Sequence, residues 1–272
     1  MGVAERHVTV DGLNTRFLEA GDGQPLILMH GASLGSSSDV WALQMEPFAQ
    51  AGFRSIAYDD PGFGLSDDPL DLTVMHRVTF FPKLLAAMGI PRANVIGHSQ
   101  SGAIAVQAAL KQPELFTRLM IIGTGSLVPP LPGAGRDEFS EEPDHEPTLE
   151  HVKDQLKVHV YDVNRIPAHL IERRLVMSTG QSFRAYQKRR NAPRMTTGDI
   201  NPPLWQGMTD LKMPLLMMFG RGDTRNGVFH RAELAKERFP SLHFEFVDEA
   251  SHLIQWDQPE RFLELTLKFL KS

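Results

Sequence analysis

The chain has 272 residues, a formal net charge of -5 and no cysteine. That length can bury a sizeable core in one large domain, the acidic balance gives no electrostatic footing for nucleic acid, and the absence of thiols excludes disulfides and thiolate chemistry. No apolar run reaches bilayer-spanning length and the opening MGVAERHVTVDG lacks an apolar signal-peptide centre, so the expectation is a cytoplasmic protein without a membrane partner.

Strand character at 7–10 and 15–19 flanks Asp11-Gly12, a good hairpin signal. A glycine-rich turn then leads into 25–29, a continuous apolar run of the kind found in a strand covered on both faces. His30-Gly31-Ala32-Ser33 follows, then a helix over 41–50 and a strand at 54–58 that ends in Asp59-Asp60-Pro61-Gly62-Phe63-Gly64. A helix over 73–88 precedes the strand ending at Gly97, and a helix over 101–111 and a strand at 119–123 follow it. Alternation of this kind predicts a mostly parallel, doubly wound sheet. From 127 the character changes to prolines, an acidic run at 137–144 and helices over 148–161, 167–178 and 181–190. Strand character returns at 214–219 and 243–247, with helices over 228–238 and 258–270. Residues 1–126 and 204–272 therefore read as the core and 127–203 as a helical lid over the active face. The acidic run reads as a solvated loop.

The chemistry centres on Gly97-His98-Ser99-Gln100-Ser101-Gly102. A serine between a strand and a helix, flanked by small residues, has the context of a nucleophile elbow, a sharp turn that exposes its hydroxyl and tolerates little bulk nearby. The hydroxyl needs a base to take its proton and an acid to orient that base. Asp223 and His252 each follow an apolar strand, at the sheet edge where α/β chemistry gathers, so the chain order is Ser, Asp, His. His98 is a rival base in sequence, but a residue next to the elbow serine points away from it. His30 reads as a loop brace, and Asp60 with Gly62-Phe63-Gly64 as a structural turn. An oxyanion hole needs two N–H donors from separate loops. Gln100 supplies one, and Ala32 the other, with Ser33 as the alternative. Asp59, Asp60, His76 and His98 match no ligand spacing, so no metal and no cofactor are expected.

GHSQSG at 97–102, HG at 30–31, DPGFGLS at 60–66, GRGD at 220–223 and SH at 251–252 together resemble the α/β-hydrolase superfamily across nearly the whole chain. The resemblance implies an eight-stranded, mostly parallel sheet flanked by helices, with the lid inserted after the sixth strand. Within the superfamily, 15–31 and 251–262 are similar to the meta-cleavage-product hydrolases, which cut a carbon–carbon bond in vinylogous 1,5-diketones made by ring-opening dioxygenases. The nucleophile, base and acid roles then carry over to Ser99, His252 and Asp223, and a lid arginine binding the substrate's dienoate end to Arg174, with Arg173 beside it. A dimer is also implied. The chain departs from that family's usual pattern at His98, Gln100, Ser101 and Leu253, the last standing where a tryptophan commonly lines the substrate site. These departures bear on the substrate and leave the triad intact. The competing readings are a carboxylesterase or lactonase on a small apolar ester, and a non-catalytic receptor of the same fold.

Overall fold

The computed structural model describes residues 2–131, 144–191 and 200–272; the acidic run, apart from Asp144, lies outside them. Strands β1 (Ala4–Val10) and β2 (Leu13–Ala20) form the hairpin, with Asp11 and Gly12 at φ of 51° and 80° in its two-residue turn. β3 (Gln24–Met29), β4 (Phe53–Tyr58), β5 (Ala93–His98), β6 (Phe116–Ile122), β7 (Leu215–Gly220) and β8 (His243–Val247) complete an eight-stranded sheet in the order β1-β2-β4-β3-β5-β6-β7-β8. The pairs β1·β2 and β2·β4 are antiparallel, and every later pair is parallel.

Alternate residues of each central strand feed opposite faces, which is the period of the pleat. Ile27 and Met29 join the apolar layer under α2 (Val74–Ala87) and α3 (Gln100–Lys111), whereas Leu26 and Leu28 join the layer under α1 (Ala42–Gln50). All six residues of β5 are buried, so the strand that delivers Ser99 is held from both sides. That is why the central strands read as unbroken apolar runs.

Between β6 and β7 the chain inserts α4 (Leu149–Lys157), α5 (Ala168–Val176) and α6 (Gly180–Asn191). α7 (Val228–Arg238), the short α8 (Ile254–Asp257) and α9 (Pro259–Leu270) follow. Two departures from the expected elements have local causes. α4 stops at Lys157 because tertiary bonds claim the next residues: Leu253 N–H donates to His159 O at 2.9 Å and Tyr161 N–H to an Asp257 oxygen at 2.9 Å. The turn α8 precedes the terminal helix where Trp256 Nε1 anchors on Val40 O at 2.8 Å. No helix among the described residues is long and apolar enough to cross a membrane.

Candidate active site

Ser99 joins β5 to α3 with φ 57° and ψ -128°, a conformation that non-glycine residues adopt at a cost of about 1–3 kcal/mol. The neighbours explain how the turn is held. Ser99 N–H donates to Ile122 O at 2.8 Å, and Thr124 Oγ1 donates to Ser99 O at 2.7 Å. A Cβ on Gly97 would stand 2.7 Å from Gly102 Cα, and one on Gly102 would collide with Thr124 Oγ1. The close approach is thus Gly97 against Gly102. Ser101, expected to be small for this reason, turns its hydroxyl away to His30 O. The Ser99 side chain makes no capping bond to the helix it begins, which leaves its oxygen available.

Asp223 and His252 follow β7 and β8 at the carboxyl edge of the sheet. A Cβ on Gly220 would run into the carbonyls of Ala250 and Ser251, and Gly222 N–H donates to Ala250 O at 2.8 Å, so the glycines of GRGD let the two loops touch. His252 Nδ1 lies 3.1 Å from Asp223 Oδ2. Nδ1–H donating to the carboxylate leaves Nε2 with its lone pair. Both side chains are buried. The His252 ring packs over Gly123, which directly follows β6, and lies 4.5 Å between centroids from His98. His98 Nε2–H donates to His252 O at 3.0 Å. His98 therefore fixes the backbone of the candidate base.

Charge around this pair is unequal. Arg225 donates Nε to Asp223 Oδ1 and Nη2 to Asp223 Oδ2, both at 2.9 Å. Burial alone would raise the Asp223 pKa, but the bonds and charges of His252 and Arg225 outweigh it and hold the carboxyl well below its ordinary range. Burial, and then the Arg225 charge, push His252 down to about 4 against the opposing pull of Asp223. His159, from the segment after α4, lies 5.8 Å from the His252 ring and is pushed down to about 3 by burial and the charge of His252. The two imidazoles stay neutral at neutral pH and the Asp223 carboxyl stays ionised.

Arg174 lies buried on α5, with Nη2 donating to Ser33 Oγ at 2.9 Å. Among the described residues its Nε has no partner, and burial is the one influence that shifts its titration, with no carboxylate acting on it. Burial lowers its pKa to about 10. Arg173, its neighbour, faces outward to Asp39 at 3.1 Å. Ser33 thus meets Arg174 through its side chain, and Ala32 is partly exposed one residue earlier. Gly31 packs close to Ser99 Cβ and His98 Nδ1, which sets this loop beside the nucleophile. Gln100 opens α3, where the first N–H groups have no intrahelical acceptor. Leu253 is buried in the apolar layer with Val160, Ile166 and Ile254. His30 accepts from Asp60 N–H at 3.0 Å through Nε2 and donates Nδ1–H to Gly31 O at 2.7 Å, the bracing role its position suggested.

Sequence reading did not reach Arg225, His159 or Arg77. Arg225 was in plain view two residues after Asp223. The other two act across 93 and 23 residues respectively, on His252 and on Gln100.

The description of the alpha/beta hydrolase fold as a family matches residues 24–210. The chain belongs to the α/β-hydrolase family. This α/β-hydrolase is 30% identical over 277 residues to a 2-hydroxy-6-oxononadienedioate/2-hydroxy-6-oxononatrienedioate hydrolase of Paraburkholderia phymatum, covering 95% of this chain and 91% of that one. It is 25% identical to a 2-hydroxy-6-oxo-6-phenylhexa-2,4-dienoate hydrolase of Comamonas testosteroni, over 93% of this chain and 90% of the relative. The solved 2-hydroxy-6-oxo-6-phenylhexa-2,4-dienoate hydrolase of Rhodococcus sp. strain RHA1 superposes with a TM-score of 0.83 at 21% identity, covering 100% of this chain and 99% of that one, a likeness of fold. The α/β-hydrolase described here is accordingly an enzyme, a hydrolase of this family.

Proposed function

We propose that this α/β-hydrolase is a serine hydrolase that cleaves a carbon–carbon bond in a vinylogous diketone carrying a dienoate carboxylate. The observation that carries the substrate class is Arg174. A buried guanidinium with no carboxylate partner among the described residues is costly unless a ligand supplies the anion, and its planar fork suits a carboxylate. Its contact with Ser33 sets that anion site at the loop that also passes beside Ser99. The names of the two relatives given above, both dienoate hydrolases, point the same way.

In this reading residues 127–203 form the lid and Arg174 orients the substrate's acid end. His252 first moves a proton within the dienol, from the 2-hydroxyl to the carbon beside the 6-oxo group, so that the ketone formed at C2 leaves the C6 carbonyl out of conjugation and open to attack. It then takes the proton of Ser99, or of a water that Ser99 positions, as that oxygen attacks the carbonyl. Asp223 holds the Nδ1–H tautomer and offsets the charge of the imidazolium. The N–H groups of Ala32 and Gln100 receive the oxyanion. The carbon–carbon bond breaks as the carbonyl re-forms, its electron pair passing into the conjugated dienoate fragment, which is then protonated. Where Ser99 attacked, a water deprotonated by His252 then cleaves the acyl ester, giving the acid and the free serine hydroxyl; where water attacked, the acid leaves directly.

The test follows the visible absorbance of 2-hydroxy-6-oxo-6-phenylhexa-2,4-dienoate alongside a panel of aryl esters. Loss of the dienoate signal is expected, abolished in Ser99→Ala and reduced about 100-fold or more in kcat/KM in Arg174→Gln, the range for removing a charged group that orients substrate. Rapid ester turnover with an inert dienoate would replace this reading with an esterase or lactonase.

A further inference from the structure

We infer that Arg77 is a positioning residue for the oxyanion hole, one guanidinium that ties together the two loops whose N–H groups form it. The inference rests on the proposed roles of Ser99, Ala32 and Gln100. Arg77 rises from α2, 4% exposed, far from the triad in sequence. Its Nη1 donates to Gln100 Oε1 at 2.6 Å, and its Nη2 to Ser101 Oγ at 2.7 Å. The Ser101 hydroxyl passes its own hydrogen to His30 O, at the start of the loop that carries Ala32. A second route reaches the same loop. Arg77 Nε donates to Asp60 Oδ2 at 3.0 Å and Nη2 pairs with the same carboxylate, while Asp60 N–H donates to His30 Nε2. Below the guanidinium, Phe63 lies 4.8 Å from Arg77 Cζ and 5.0 Å from the His30 ring, closing the cluster.

The arrangement explains two residues that depart from the pattern of the resembled family. Gln100 and Ser101 are the acceptors that Arg77 needs, and an apolar residue and a glycine at those positions would leave it only Asp60. An oxyanion hole works by holding donors fixed before charge develops, so a tether acting on both loops serves the transition state more than the bound substrate. Arg77 touches no reacting atom in this scheme.

The experiment compares Arg77→Lys and Arg77→Met with wild type in the full chain. Arg77→Lys keeps the charge beside Asp60 but cannot span Gln100 and Ser101 together. Three readouts are taken: the rate of Ser99 labelling by a fluorophosphonate, the binding of phenylboronic acid, which forms a tetrahedral adduct on a serine, and the split between kcat and KM on the turned-over substrate. Labelling and kcat are expected to fall about 10- to 100-fold, boronic acid affinity to fall with them, and KM to stay within about twofold. Ser101→Ala and Gln100→Ala, which spare the Arg77–Asp60 pair, provide the same measurement should Arg77→Met not fold, each with a smaller loss in kcat. Folded variants with wild-type labelling and kcat, or with losses confined to KM or to melting temperature, would overturn the inference. Persistent labelling in Ser99→Ala would instead overturn the reading of Ser99, so the two failures are distinguishable.

Discussion

At the scale of single residues, the candidate base is set by competition for one carboxylate. Asp223 Oδ2 accepts from both His252 and Arg225, so each donor weakens the hold of the other. His252 must be neutral to accept a proton, and its pKa of about 4 keeps it so into mildly acidic solution. Replacing Arg225 by Gln removes a cation and frees the carboxylate, and both changes raise the imidazole pKa. The acidic limb of kcat/KM is therefore expected to move upward, with about 2- to 10-fold lower activity at pH 5 and little change at pH 8. A pH–rate profile of the two proteins checks it, and an unmoved limb would remove Arg225 from the account. The three members of the candidate triad were legible in the sequence because each follows an apolar strand and all the strands deliver their ends to one edge. Arg225 was equally visible, yet a charged residue in a loop is ordinarily solvated. Only the turn that folds it back on Asp223 gives it a role.

At the scale of elements, the elbow depends on how closely β5 and α3 approach. The sequence asks for small residues on both sides of the serine, and the tight contacts fall at Gly97 and Gly102, which face each other, with Thr124 against Gly102. The helix turns Ser101 toward Arg77 and Gly102 toward the sheet, an angle that no spacing rule supplies. Gly97→Ala forces a methyl against the Gly102 backbone and is expected to cost about 1–3 kcal/mol, while Ser101→Gly is expected to cost less in folding than in turnover. Urea melts beside kinetics would check both, and a Gly97→Ala protein as stable as wild type would contradict the packing described here.

For the molecule as a whole, burying neutral imidazoles makes stability depend on acidity. His252 and His159 have folded pKa values of about 4 and 3, below their ordinary 6.5, and burial lowers His98 and His30 as well. The unfolded chain binds more protons than the folded one below that ordinary value, so stability is full above pH 6.5 and is lost as pH falls toward 4. His252 and His159 each add a slope of up to about 1.4 kcal/mol per pH unit in that window, and His98 and His30 act in the same direction. Asp257 opposes them, because burial raises it to about 6; its contribution is present at low pH and lost as pH rises through that value. The histidines outnumber it, so the melting midpoint is expected to fall on acidification from pH 6.5 to 4.5, and His159→Gln is expected to flatten the fall. A midpoint that rises over that interval would refute the balance.

The bonds that end α4 early also bear on how such enzymes diverge. Through His159 O the inserted segment grips Leu253, next to His252, and through Tyr161 N–H it grips Asp257 at the end of α8, whose carboxylate also accepts from Ser251 N–H. If the inserted segment acts as the proposed lid, exchanging that whole cap for a relative's to change the substrate would also exchange the contacts beside the imidazole. A chimera that left out the 159 and 161 contacts would be expected to lose turnover on every substrate alike, so new specificity here has to come from changes made within the cap while its foot stays in place.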